Sequence, residues 1–434
     1  MSDSIQATIQ ASTIIRHIGQ LVTVAQQPIA GASGTLQVIS DAALAVLDGQ
    51  IVWLGPDNQA EQTLAYYAVT TIGIPLPAVD EVTIIDAHGA VVTPGLVDSH
   101  THLIFAGQRT GEFHLRRDGK SYGDLLAQGR GILTTVQATR DATTEDLMEA
   151  AIARLDSIRS LGTTTVEVKT GYGLDFETEE RCLQIIKNLN EREAESISPH
   201  RLRLVPTFLG AHSIPAEYRD RRELYVDQIV EQMLPAFVDL ARFCDVYCER
   251  ETYTVAETRR ILIRAKELGY KLKIHADQLS PSGGSRLAAE VGAVSADHLD
   301  FASDSDLDAM SAANVVATLL PGCSYTLRSP YPSARRFLDH GLKVALATDF
   351  NPGTCYCENM QMIIGLAMSA MGMSLEEALI AATINGAQAL SLQDQIGSIE
   401  LGKRCELAFW SIQDYREIGY HFGVNLLQST RVLD

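Results

Sequence analysis

A chain of 434 residues, 46% of them hydrophobic and 6% aromatic, can bury a large core and reads as two or three domains, or as one barrel with additions. A net charge of −19 argues against general binding to nucleic acid or anionic membranes, which needs basic fields, and it demands local cations wherever an anionic substrate sits. The sequence has no run of about 18 apolar residues to span a membrane, no basic stretch and apolar block of a secretory signal, and an odd 7 cysteines that suit reduced thiols in a cytoplasm.

Residues 35–90 read as short strands and turns. TLQVISDAALAVLDGQIVWLGP sets Asp48 and Gly49 between apolar runs, a hairpin signal. Residues 60–81 show no clear period and read as a surface insertion. VTIIDAHGAVVTPGLVDSHTH reads as another hairpin-like pair. From about residue 93 strand candidates alternate with amphipathic stretches. They are VVTPGLVDSH, TTTVEVKT (163–170), RLRLVPTFLG (201–210), FCDVYCE (243–249), KLKIHAD (271–277), AVSADHL (293–299), NVVATLLPG (314–322) and KVALATDF (343–350). A helical example between them is TEDLMEAAIARLDSIRSLG, with Gly162 at the expected C-cap. The tail, GSIELGKRCELAFW (397–410), returns to short strands. Repeated β–α units predict an α/β chain with a TIM-like (β/α)8 barrel over 93–392. Residues 1–92 plus 393–434 are expected to pair into a small composite β-sandwich domain. Internal repeats and low-complexity tracts are not apparent.

The barrel's C-terminal strand ends carry the chemistry. His100 and His102 are two apart, so on a strand both side chains point to one face, a spacing that suits a zinc- or iron-type ion. On that spacing alone, two polar residues in a strand-to-loop turn explain the pair about as well. His275 closes KLKIHAD, His298 closes AVSADHL and Asp349 closes KVALATDF. Ionisable groups ending apolar strands are costly to bury unless they coordinate or pair, and five at one end of a barrel are hard to ascribe to chance. Three imidazoles and one carboxylate make a shell of net charge −1, in which a divalent ion lowers the pKa of a bound water to roughly 7. Asp349 can ligate and take the water's proton. His298 stands behind as a hydrogen-bond partner of the nucleophile or of the substrate oxygen.

The motifs PGLVDSHTHLIFAGQR, VEVKTGYGLD, TFLGAHSIP, HADQLS, SADHL, LLPG and ATDFNPGT, with DYREIGYHFGVN (414–425) in the tail, make the chain resemble the amidohydrolase superfamily, and within it the imidazolonepropionase family. The likeness runs from about residue 40 to the end. It implies a barrel of the metal-dependent hydrolase type and one zinc or iron ion held by His100, His102, His275 and Asp349. It implies substrate contacts from Arg109, Tyr172, His212, Gln278, Asn351, Gly353 and Thr354, with Asp349 and His298 as catalytic groups. The implied reaction is hydrolysis of the lactam of 4-imidazolone-5-propanoate to N-formimidoyl-L-glutamate. Arg109 is then the local cation that the acidic chain requires, clamping the propionate. Gln278 cannot exchange a proton, which leaves Asp349, His298 or the water itself as base. Lys169 reads as a structural or polar contact, and Cys244, Cys248, Cys355 and Cys357 as buried or near-site thiols. Another amidohydrolase activity (an aromatic-base deaminase or a different cyclic amidase) and a non-catalytic barrel scaffold stand as alternatives. A small-molecule substrate, no nucleic-acid or membrane partner, a cytoplasmic setting and surfaces for a homodimer complete the expectation.

Overall fold

The computed structural model describes residues 11–63, 82–119 and 131–433. Most of the 60–81 insertion lies outside the described residues. Seven strands form one sheet: β1 (Thr13–Val22), β2 (Val38–Leu47), β3 (Gln50–Pro56), β4 (Thr83–Asp86), β5 (Val91–Pro94), and, after the barrel, β14 (Glu406–Trp410) and β15 (Leu427–Val432). Eight form the other: β6 (Leu96–Asp98), β7 (Thr163–Lys169), β8 (Arg203–Ala211), β9 (Phe243–Cys248), β10 (Lys271–Ala276), β11 (Ser295–His298), β12 (Val316–Leu319) and β13 (Val344–Leu346).

β6 to β13 are parallel neighbours in chain order. The barrel closes at its C-terminal mouth, where Thr101 bridges Phe350 in parallel. The Asp349 N–H donates to His100 O at 3.1 Å and the His102 N–H to Phe350 O at 2.8 Å. Every expected barrel strand is present, and β7, β11, β12 and β13 are buried along their whole length, as parallel strands walled by helices must be. The helix Thr144–Arg159 shows how the walls form. Thr143 and Asp146 cap it reciprocally, and Leu147, Ala151, Leu155 and Ile158 bury one stripe. It caps at Ser160. Gly162 comes two residues later, at a φ of 101°.

In the other sheet the strands run β15-β14-β5-β1-β2-β3, with β4 beside β1. Asp48 and Gly49, both at positive φ, make the tight turn of the β2–β3 hairpin. Bulges in β1, β2 and β14 bend the sheet over one apolar cluster that includes Ile15, Ile18, Leu44, Val92, Leu407 and Phe409.

Two expectations change here. The pair read as a hairpin is none: β4 and β5 both run parallel to β1, at Thr13–Arg16 and Gln20–Leu21, and the turn around His88 and Gly89 only carries the chain past an interruption. VVTPGLVDSH, read as one strand, is two. Val91–Pro94 joins the terminal sheet and Leu96–Asp98 opens the barrel. Gly95 makes the exchange because any Cβ there would overlap the Thr164 side chain.

Candidate active site

His100 and His102 follow β6, His275 lies in β10, His298 ends β11 and Asp349 follows β13. All five are buried and meet at the barrel mouth. The His100 ring centroid is 4.5 Å from that of His275 and 5.3 Å from that of His102. Asp349 Oδ1 lies 3.6 Å from His100 Nε2 and 3.7 Å from His102 Nε2, and His102 Nε2 is 3.5 Å from His275 Nε2.

The protons on these rings follow from their partners. His100 Nδ1 is 2.7 Å from Asp297 Oδ2, so Nδ1 carries the proton and Nε2 a lone pair. His275 Nδ1 lies 2.9 Å from Asp245 Oδ2, off the line of a good hydrogen bond but on the same side of the ring. The lone pairs of His100 and His275 therefore face one centre. Among the described residues neither His100 Nε2 nor Asp349 Oδ2 has a hydrogen-bond partner, although both are buried. Donor atoms about 2.1 Å from a tetrahedral ion lie about 3.4 Å apart, close to the 3.5, 3.6 and 3.7 Å found here. Burial holds His100, His102 and His275 well below the usual imidazole range, so they stay in the neutral form that ligates. Burial likewise raises the Asp349 carboxyl to about 8, a shift that a cation beside it would reverse. The residues fit a divalent ion.

His298 is the remaining imidazole, its ring 5.5 Å from His100 and 5.4 Å from His275. Burial lowers it to about 3. Its backbone is strained: His298, Leu299 and Asp349 have φ of 77°, 69° and 54°, left-handed values that non-glycine residues adopt at a cost.

A buried charge network, largely unread in the sequence, underlies the ligands. Lys169 Nζ is 2.8 Å from Asp245 Oδ2, 2.9 Å from Glu167 Oε2 and 3.6 Å from Asp297 Oδ2. Lys273 Nζ donates to Ser99 O at 2.9 Å and lies 3.3 Å from Glu167 Oε1. Desolvation works against the Lys169 charge, but its three carboxylates outweigh it and hold the ammonium protonated. Asp98 pins the end of the last barrel strand, accepting from Thr348 N at 3.0 Å and from Thr348 Oγ1 at 2.6 Å. The available signal was an acid or base inside an otherwise apolar strand, as in VEVK, CDVYC and SADH.

Of the expected substrate-contacting residues, His212 and Tyr172 stand directly against this centre. His212 stacks on His102 at 4.9 Å and 15°, and its Nδ1 donates to Gly171 O at 3.0 Å, which leaves Nε2 as an acceptor. Burial lowers it to about 4. The Tyr172 ring is 5.3 Å from His212 and 5.8 Å from His102. Arg109 is buried, with Nε 3.7 Å from Glu112 Oε2 and its guanidinium against Gly353, where any Cβ would overlap it. Its Nη1 has no hydrogen-bond partner among the described residues. Asn351 spends its amide on its own loop: Oδ1 accepts from Gly353 N at 2.8 Å and Thr354 N at 2.7 Å, and Nδ2 donates to Asp349 O at 2.6 Å. Gln278 Nε2 donates to Cys323 Sγ at 3.6 Å. Of the thiols singled out, Cys244, Cys248 and Cys355 are buried and Cys357 is half-buried; all are free.

The fold and site define a metal-dependent hydrolase barrel. The chain belongs to the amidohydrolase family, whose sequence pattern matches residues 91–424. Solved relatives share the fold at low identity. A triazine hydrolase variant is 18% identical over 97% of this chain and 93% of its own, with a TM-score of 0.72. An adenosine deaminase from Xanthomonas campestris with bound zinc is 18% identical over 98% and 90%, with a TM-score of 0.65. Within the family the chain falls among the imidazolonepropionases. It is 43% identical to that of Alkaliphilus metalliredigens over 95% of this chain and 94% of the relative, and 46% identical to that of Symbiobacterium thermophilum over the same shares.

Proposed function

We propose that this chain hydrolyses the lactam of 4-imidazolone-5-propanoate to N-formimidoyl-L-glutamate. The observation that carries the reading is the convergence of Nε2 of His100, His102 and His275 and of Asp349 Oδ1 at 3.5 to 3.7 Å from their neighbours in one buried mouth. In this reading residues 93–392 form the catalytic barrel and 1–92 plus 393–434 a composite domain. A homodimer in a cytoplasmic setting belongs to the same reading. Among the described residues no helix is long and apolar enough to cross a membrane.

His100, His102, His275 and Asp349 would hold a divalent ion, zinc or iron. Such an ion supplies Lewis-acid polarisation and a water nucleophile at neutral pH. Arg109 binds the propionate, and Tyr172 and His212 wall the imidazolone ring. Asp349 Oδ2 takes the proton of the attacking water and passes it to the departing ring nitrogen. His298 hydrogen-bonds the carbonyl oxygen, which gains negative charge as its carbon becomes tetrahedral. Asn351 and Thr354 build the turn that presents Gly353 to Arg109. Gln278, which cannot carry a proton, braces the mouth through Cys323.

The test is loss of imidazolonepropionate absorbance with metal-loaded and with chelated protein. Metal-dependent ring opening without ammonia supports the reading, and ammonia release from aromatic bases would replace it with a deaminase. A chain that binds no transition metal and is not rescued by added Zn²⁺ or Fe²⁺ would be a scaffold.

Arg109→Ala is expected to raise KM about 10- to 100-fold with a smaller change in kcat, since it removes a charge-assisted contact. Gly353→Ala should do the same, because its methyl group displaces the guanidinium. Steady-state kinetics on both variants check this; an unchanged KM in Arg109→Ala would make Arg109 a structural residue.

A further inference from the structure

The loop Thr170–Leu174 carries Tyr172 and, through Gly171 O, the ring of His212. Its backbone is held from both sides by two side chains that lie outside the site. Glu179, fully buried in the first turn of the helix Phe176–Glu195, gathers the N–H groups. Its Oε1 accepts from Gly173 N at 2.8 Å and Leu174 N at 2.9 Å, and its Oε2 accepts from Gly171 N at 3.1 Å. Arg140 gathers the carbonyls: Nε donates to Gly173 O at 2.7 Å and Nη2 to Leu174 O at 3.0 Å. Arg140 is itself fixed to Asp175 and Glu217 at 2.7 and 2.9 Å.

The loop would not keep this path unaided. Gly171 sits at φ 106° and Leu174 at φ 52°, both left-handed. A Cβ on Gly171 would crowd His212 at 2.9 Å, and one on Gly173 would crowd Glu179 Oε1 at 2.9 Å. The glycines thus let the backbone close around the carboxylate, and the carboxylate satisfies three amides that would otherwise be buried without acceptors. From Gly171 O the restraint reaches His212 Nδ1 at 3.0 Å, and His212 stacks on the proposed metal ligand His102.

We infer that Glu179, braced by Arg140, is a positioning residue for substrate binding: it sets where Tyr172 and His212 stand against the substrate ring without touching substrate or metal. This rests on the reading of Tyr172 and His212 as substrate contacts. Glu179→Gln keeps the volume but turns one acceptor into an N–H donor facing N–H groups. Misplacing a binding wall by even an ångström is costly, so KM for 4-imidazolone-5-propanoate should rise about 10-fold or more, with kcat less affected and metal content unchanged.

A merely structural role would add its effect to that of any other change. Here Glu179→Gln combined with His212→Asn should cost far less than the product of the two single effects, because both act through the same ring. Independent effects in that double variant, or an unchanged KM in a folded and metal-loaded Glu179→Gln, would overturn the inference. Should Glu179→Gln fail to fold, Glu179→Asp, which keeps both acceptors on a shorter arm, is read in the same way. If the unsubstituted protein does not open imidazolonepropionate, the proposed function falls. Amide hydrogen exchange at Gly171, Gly173 and Leu174 then decides the clamp: faster exchange in Glu179→Gln upholds it and unchanged exchange refutes it.

Discussion

His102→Ala is expected to lose bound metal and turnover together while the barrel stays folded. The imidazole stands at the mouth, above the layers of side chains that fill the barrel, and its backbone is tied to the last strand through Phe350 O whatever the side chain. Truncation removes one donor of a set whose members lie about one tetrahedral edge apart. His298 clusters with His100 and Asp349 rather than with His102 and His275, its ring 5.5 Å from that of His100. The loss should exceed the roughly 10- to 100-fold typical of residues that merely support a ligand. Elemental analysis, turnover and circular dichroism on one preparation check it. Stoichiometric metal with retained turnover would remove His102 from the ligand set.

Some of this design was open to reading in one dimension. The β2–β3 hairpin was legible because its turn needs two residues at positive φ and Asp-Gly offers them cheaply. The barrel strands were legible because buried parallel strands are continuous apolar runs, and their ends were legible because imidazoles and carboxylates interrupt those runs. The split at Gly95 was not. Val91–Pro94 and Leu96–Asp98 read as one buried run, and only the nearness of Thr164, 69 positions later in the chain, makes glycine the place where one sheet gives way to the other. The parallel partnership of β4 and β5 with β1 was hidden for a related reason: sequence neighbours suggest pairing with each other, whereas the partner here is the first described strand.

The charge network was hidden more deeply. Glu167, Lys169, Asp245, Lys273 and Asp297 each occupy an ordinary strand position, and any one of them alone could face water. Their meaning is collective, because the barrel turns alternate side chains of four strands into one dry interior. Asn351 shows what a sequence leaves out. The family resemblance marks it as a substrate contact, and the fold adds that its amide also shapes the turn that carries Gly353 and Thr354.

Lys169→Met tests that collective reading and should be the most destabilising single change in the site. Methionine is one heavy atom shorter than lysine but close to it in volume and equally unbranched, so packing is nearly conserved and the change is mainly electrostatic. Without the ammonium, Glu167, Asp245 and Asp297 share one cation, Lys273, which lies 3.3 Å from Glu167 and 3.9 Å from Asp297. Breaking a buried pair by removing one partner typically costs about 3–5 kcal/mol, because the remaining charge stays desolvated. Asp245 and Asp297 also flank Nδ1 of His275 and His100, so repulsion between them should disturb both rings and weaken metal binding as well as the fold. Adding Asp245→Asn removes the carboxylate nearest to the lost ammonium and should restore part of the stability, a coupling that a cavity or a general loosening would not produce. Denaturation midpoints of both variants with and without chelator separate these effects. A single variant as stable as the parent, or a double variant less stable than Lys169→Met alone, would mean that the barrel floor does not depend on this charge balance.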